Sequence, residues 1–216
     1  MVKVKMCGFT RAEDVKAACS LGVDMVGIIL VQRSPRYVPV ERAGQILKAA
    51  GKGVAKVAVF IPKGPEDVEE VYRKLKPDYL QFHLTFPADE LLEIKEDLEA
   101  ETIVVVPIPQ EIERPTDIVD RAIEVAEVAD FVLVDTKGPT GGGTGLTHSW
   151  SLSAMIRDVV DKPVFLAGGL SPSNVEQAIK AVRPYAVDVA TGVESSPGKK
   201  DLKLMREFIE AARRAG

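Results

Sequence analysis

The sequence predicts a single-domain α/β fold, a (β/α)8 TIM barrel with parallel strands. Three observations point to it. Short apolar, β-branched runs recur eight times along the 216 residues, and each is followed by a stretch with helical spacing. No linker or charge block divides positions 1–216. The glycine fingerprint that opens a dinucleotide-binding doubly wound sheet is missing after the first run, so an open sheet stands only as the runner-up. Strict β-then-α alternation implies right-handed crossovers and a parallel sheet, and eight units are the number that closes one.

The elements follow in order. VKVKM (2–6) alternates Val2, Val4 and Met6 as the buried face of a strand that runs into Cys7 and Gly8. RAEDVKAACSLG (11–22) puts Ala12, Val15, Ala18 and Cys19 on one helical stripe, with Gly22 as the stop. The strands DMVGIIL (24–30), VAKVAVF (54–60) and DYLQFH (78–83) alternate with the helices VERAGQILKAAG (40–51), PEDVEEVYRKL (65–75) and ADELLEIKEDLEA (88–100). Pro65 ahead of two acidic residues is a helix start. The second half reads TIVVVP (102–107), TDIVDRAIEVAEV (116–128), DFVLVD (130–135), SWSLSAMIRDVV (149–160), PVFLA (163–167), SPSNVEQAIKAV (171–182), AVDVA (186–190) and KDLKLMREFIEAARRA (200–215). Ser171 before Pro172 is a second helix start.

Composition narrows the function. A chain of this size buries about 70% of its unfolded surface. Its formal charge of −4 and the lack of a basic patch argue against a nucleic-acid partner. The longest apolar run is about seven residues (MVGIILV), far short of a membrane span, so no membrane partner is expected. The strand-like start lacks a signal-peptide core and points to the cytoplasm. Two cysteines make neither a disulfide framework nor a zinc cluster. A single asparagine among many Glu, Lys and Arg gives a thermophile-like composition. Exposed apolar positions on the outer helices allow a homodimer.

In barrels of this kind the active site lies where the strands' C-terminal ends meet the following loops. Strand 1 then presents Cys7, the loop after strand 2 Arg33 and Arg36, strand 4 His83 and strand 6 Asp135. Strand 7 ends in Gly168 and Gly169, and strand 8 in Thr191 and Gly192. Glycines after strands 7 and 8 let main-chain N–H groups approach a phosphate, against the plain alternative of tight turns. A third cluster, GPTGGGTG (138–145) with Gly143 and Gly145, sits in a 14-residue loop after strand 6 and reads as a lid that also lends N–H groups.

Cys7 is a base or nucleophile if its surroundings lower its pKa; otherwise it is a buried thiol, a role that suits Cys19 better. Asp135 ends an apolar strand, where burial would keep it protonated as an acid; its alternative is a structural carboxylate. A thiolate and a protonated carboxyl together make a general base and a general acid. Arg36 holds a substrate carboxylate or pairs with an acidic neighbour. His83 either orients a ligand or is a satisfied rim histidine, and His148 is a structural or loop residue. The strand ends supply no credible metal site, so no metal is expected.

KMCGFTR, SPRYV, DYLQFH, LVDT with GGTG, FLAGGLSPSNV and VDVATGVESSPGKKD occur in order from residue 3 to about 208. Together they resemble the phosphoribosylanthranilate isomerase family of tryptophan biosynthesis. The resemblance implies an enzyme that takes a small phosphoribosyl substrate and needs no cofactor. It performs an Amadori rearrangement to 1-(2-carboxyphenylamino)-1-deoxyribulose 5-phosphate, the third step from chorismate. On that pattern Asp135 protonates the ribose ring oxygen and Cys7 removes the proton from carbon 2. Arg36 binds the anthranilate part, and the glycine loops after strands 6, 7 and 8 bind the phosphate. The chain departs from the pattern at Leu84 and Thr85, at Leu146 and His148, and at Thr191 in place of serine. A metabolite sensor, a metal-dependent pentose-phosphate epimerase and a histidine-pathway sugar isomerase fit these residues less well.

Overall fold

The structure, a computed structural model, is described for residues 1–136 and 147–216. Eight strands form one closed parallel barrel: β1 (Lys3–Cys7), β2 (Met25–Ile29), β3 (Ala55–Phe60), β4 (Tyr79–Phe82), β5 (Glu101–Ile108), β6 (Phe131–Thr136), β7 (Val164–Leu166) and β8 (Ala186–Val189). They pair in chain order, and β8 closes on β1 with Lys5 opposite Asp188. The helices between them are α1 (Ala12–Ser20), α2 (Val40–Leu47), α3 (Pro65–Leu75), α4 (Ala88–Lys95), α5 (Pro115–Val128), α6 (Trp150–Val159), α7 (Val175–Val182) and α8 (Leu202–Ala215).

Two cores follow from the strand period of two. Val4, Met6, Val26, Ile28 and their counterparts face the helices and join the large cluster that includes Val15 and Ala18. The other face fills the barrel itself with Met25, Val57, Ile103, Leu133 and Phe165. The apolar face of VKVKM is therefore the outer one. On its opposite face Lys3 is exposed at the barrel's bottom, but Lys5 is fully buried inside the barrel.

The second helix ends at Leu47 instead of 51, the first, fifth and sixth shift by one or two residues at an end, and three others differ for a local reason. The fourth stops at Lys95 instead of 100; Glu96, Asp97 and Glu99 would crowd its C-terminal end, where the helix dipole disfavours negative charge. The seventh starts at Val175, because the Asn174 side chain turns back, accepting from Ser171 N at 2.8 Å and donating to Gly169 O at 2.9 Å. The last starts at Leu202, with Asp201 as its cap accepting from Leu204 N at 3.0 Å. Lys200 belongs instead to a small antiparallel hairpin of β9 (Glu194–Ser196) and β10 (Lys199–Lys200), which the sequence did not suggest. Thr10 Oγ1 donates to Gly198 O at 2.6 Å and ties this hairpin to the loop after β1. No helix among the described residues is long and apolar enough to cross a membrane.

Candidate active site

Alternation decides which strand residues meet at the barrel axis. Cys7 is in step with Lys5, His83 with Gln81, and Asp135 with Leu133, all inward-facing positions. Cys7, His83 and Asp135 accordingly line one cavity at the C-terminal rim, together with Arg36. Gly168, Gly169, Thr191 and Gly192 line the same cavity from the loops after β7 and β8. Gly143 and Gly145, with the rest of the glycine cluster read as a lid, lie outside the described residues.

Cys7, not Cys19, is the buried thiol: it is 5% exposed, whereas Cys19 is half-buried. Burial pushes the Cys7 thiol up, the nearby Lys5 and Lys200 ammonium groups pull it down, and the net direction is up. The pKa lowering expected of a base is thus partly supplied and partly opposed. Burial would lower Lys5, but Asp188 and Cys7 hold it above its ordinary value, so it stays a cation. Asp135 is half-buried at the cavity wall, and burial, followed by the charge of Asp188, raises its carboxyl to about 7. It can therefore carry a proton near neutral pH.

Arg36 is buried, not a surface residue. Its Nε donates to Glu194 Oε1 at 2.9 Å, and its Nη2 donates to Glu194 Oε2 at 2.8 Å and to Thr191 Oγ1 at 3.0 Å. Lys200 Nζ donates to the same Glu194 Oε1 at 2.9 Å, and also to the carbonyls of Cys7 at 2.6 Å and Ala190 at 3.0 Å. Arg36 thus pairs with an acidic neighbour, as one reading of the sequence has it, and lines the cavity.

The glycine loops are built for close approach. Gly168 (φ +90°) and Gly169 (φ +62°) hold left-handed backbone that other residues resist. A side chain on Gly168 would run into Thr136, and one on Gly192 into the carbonyl of Leu170. The end of β6 and the loops after β7 and β8 therefore touch one another through glycine. Thr136 Oγ1 in turn meets His148 Nδ1 at 2.9 Å, and His148 Nε2 meets Ser153 Oγ at 2.5 Å. His148 is the structural residue expected, and burial lowers its pKa to about 4. Burial, with a smaller contribution from Arg33, also lowers the pKa of His83, which keeps that ring neutral.

Sequence reasoning missed Asp188, Gln81, Lys5, Glu194 and Lys200. Asp188 Oδ1 and Gln81 Oε1 are buried at this cavity and have no hydrogen-bond partner among the described residues. Both oxygens can accept hydrogen bonds from a hydroxyl or amine group placed in the cavity. Asp188 carried the same signal that singled out Asp135, a carboxylate inside an apolar strand (AVDVA). Among the described residues no three His, Cys, Asp or Glu side chains gather as a metal site.

Residues 4–211 match the model of the family N-(5'phosphoribosyl)anthranilate (PRA) isomerase. The chain belongs to this isomerase family. The N-(5'-phosphoribosyl)anthranilate isomerase of Methanocella arvoryzae is 41% identical over 215 residues, covering 99% of each chain. A crystal structure of a phosphoribosyl anthranilate isomerase in complex with reduced 1-(o-carboxyphenylamino)-1-deoxyribulose 5-phosphate aligns with TM-score 0.84 and 33% identity, over 99% of this chain and 100% of that one. So does a structure of monomers of the dimeric Thermotoga maritima isomerase, with TM-score 0.84 and 34% identity over the same shares. As a phosphoribosylanthranilate isomerase, the chain is an enzyme of tryptophan biosynthesis that isomerises a phosphoribosyl substrate on a TIM barrel.

Proposed function

We propose that this isomerase works by general acid–base catalysis with Asp135 as the acid and Cys7 as the base. One observation carries the reading: a carboxyl poised to hold a proton and a thiol flanked by two buried cations line the same cavity, from β6 and β1. Part of the cavity's wall is the glycine pair after β7 with Thr191 and Gly192 after β8, which supports binding of the substrate phosphate there.

The steps follow from this arrangement. Asp135 gives its proton to the ribose ring oxygen as the bond from carbon 1 to that oxygen breaks, leaving a protonated Schiff base. The Cys7 thiolate then takes the proton from carbon 2; that electron pair forms the double bond between carbons 1 and 2, and the π pair of the carbon–nitrogen bond moves onto nitrogen, giving an enolamine. Return of a proton to carbon 1 and loss of the hydroxyl proton yield the ketone, so protons and electrons balance without any co-reactant. Arg36 binds the anthranilate carboxylate and His83, kept neutral, orients the ligand. Burial keeps Asp135 protonated and strengthens charge interactions at the rim, while it works against the Cys7 thiolate.

The same reading takes the chain as one domain, because β1 and β8 close a common barrel from opposite ends of the sequence. It acts in the cytoplasm, in line with its biosynthetic family, and as a homodimer; a related isomerase is described as dimeric. The test is turnover of phosphoribosylanthranilate, generated in situ and followed by loss of anthranilate fluorescence in excess chelator. Rapid chelator-insensitive decay is expected. A folded protein without turnover, or with turnover that the chelator stops, contradicts the reading.

A further inference from the structure

Three buried charges stand together beside the cavity. Glu194 (3% exposed side chain) lies between Arg36 (6%) and Lys200 (0%). It grips Arg36 by Nε and Nη2 together, the two-point geometry a guanidinium fork forms with a carboxylate. Thr191 fixes Nη2 from the side. Nη1 makes no hydrogen bond among the described residues, and Arg36 lines the cavity.

From this geometry we propose that Glu194 is the positioning residue for carboxylate recognition: it holds the Arg36 guanidinium in one pose, with Nη1 as the donor presented to the substrate's aryl carboxylate. The inference rests on the reading that Arg36 binds that carboxylate. An arginine carries considerable rotamer freedom, and one already held in place loses less of it when the ligand arrives. Glu194 alone would cancel the charge of Arg36. Lys200, which shares Glu194 Oε1 with Arg36 Nε, restores it, because two cations and one anion leave the cluster at net +1. Lys200 is itself fixed by the carbonyls at the ends of β1 and β8, so the hairpin seats the cluster on the rim.

Charge and position predict opposite outcomes. If Glu194 only added negative charge near the site, Glu194→Gln would tighten binding of an anion. If Glu194 positions Arg36, the same change loosens it. The probes are two stable reduced product analogues, one with the ring carboxylate and one with plain phenylamine, and the readout is the ratio of their dissociation constants by calorimetry. A structural defect weakens both ligands alike and leaves the ratio unmoved. We expect Glu194→Gln to shrink the carboxylate preference by about tenfold or more. Glu194→Asp, which keeps the charge but draws it back by one methylene, should shrink it as well, and it serves as the variant to measure if Glu194→Gln does not fold. An unchanged or larger preference in the folded variant overturns the proposal. Arg36→Ala separates the two layers: if it leaves the preference intact, Arg36 does not hold the carboxylate and the underlying reading fails. If Arg36→Ala abolishes the preference while the Glu194 variants keep it, only the role of Glu194 falls.

Discussion

Lys5 and Asp188 face each other on β1 and β8, and Lys5 Nζ donates to Asp188 Oδ2 at 2.7 Å inside the barrel. Both are buried, at 0% and 8% exposure. The pair lies one inward step below Cys7 and touches the site on both sides. Lys5 draws the thiol down, and the carboxylate of Asp188 pushes Asp135 up. Each partner also offsets the other, Asp188 raising the thiol and Lys5 lowering Asp135, so one buried ion pair tunes both groups while the thiol's net direction stays up.

Breaking that pair on one side leaves a lone buried charge. Lys5→Met is expected to lose roughly 3–5 kcal/mol of stability. The double variant Lys5→Met with Asp188→Leu should recover most of the loss, because an apolar pair needs no partner. Urea unfolding of both variants checks this. A double variant as unstable as the single one contradicts it.

The pH profile follows from the order of the two site pKa values. Turnover needs Cys7 as thiolate and Asp135 protonated, yet the carboxyl titrates at about 7 and the thiol above its ordinary value. Between those values the dominant form keeps the proton on sulfur, and the productive form is its minor tautomer. Below 7 the productive fraction falls about tenfold per pH unit, since thiolate grows scarce while Asp135 is already protonated. Above 7, loss of the protonated carboxyl and gain of thiolate cancel. We therefore expect kcat/KM to rise to about pH 7 and then stay level until Cys7 titrates. A steady decline beginning at 7 would mean that the thiol is the stronger acid.

His148 makes stability depend on pH in the acid range. Its folded pKa of about 4 lies below the ordinary 6.5, so the neutral ring is the stabilising form. Its contribution is complete above 6.5 and is lost as the pH falls toward 4. Between pH 7 and 5 the loss is on the order of 2 kcal/mol. His148→Gln, which keeps hydrogen-bonding capacity without titrating, should show a flatter dependence of urea midpoint on pH. Parallel curves for parent and variant would assign the pH effect to other groups.

Gly168 tests the packing of the glycine loops. An alanine there must hold φ at +90° and place its Cβ 2.7 Å from Thr136 N. Gly168→Ala is expected to destabilise the fold by roughly 2–4 kcal/mol and to raise KM. Thermal unfolding and steady-state kinetics read both effects, and a variant with parental Tm and KM contradicts them.

The barrel was legible because each strand and helix carries its own period. The rim was legible because closure brings strand ends together whatever lies between them, and Cys7, His83, Asp135 and the glycines all stand at such ends. What stayed hidden depends on closure itself. In VKVKM the lysines read as a solvated face, and only a closed barrel turns Lys5 inward to meet Asp188 from the far end of the chain. Glu194 and Lys200 lie in a hairpin too short for any periodicity, and Lys200 adjoins a helix pattern that absorbed it. Their partner Arg36 is 158 residues from Glu194, a separation that no local pattern spans.

The central claim is that Cys7 and Asp135 carry out the chemistry and are not merely buried at its edge. Its most direct measurement is turnover by Cys7→Ala and Asp135→Asn, each paired with the affinity for a reduced product analogue. The account predicts that kcat falls at least about a hundredfold in each variant, while analogue binding stays within about threefold. Either variant turning over at the parental rate would remove that residue from the mechanism.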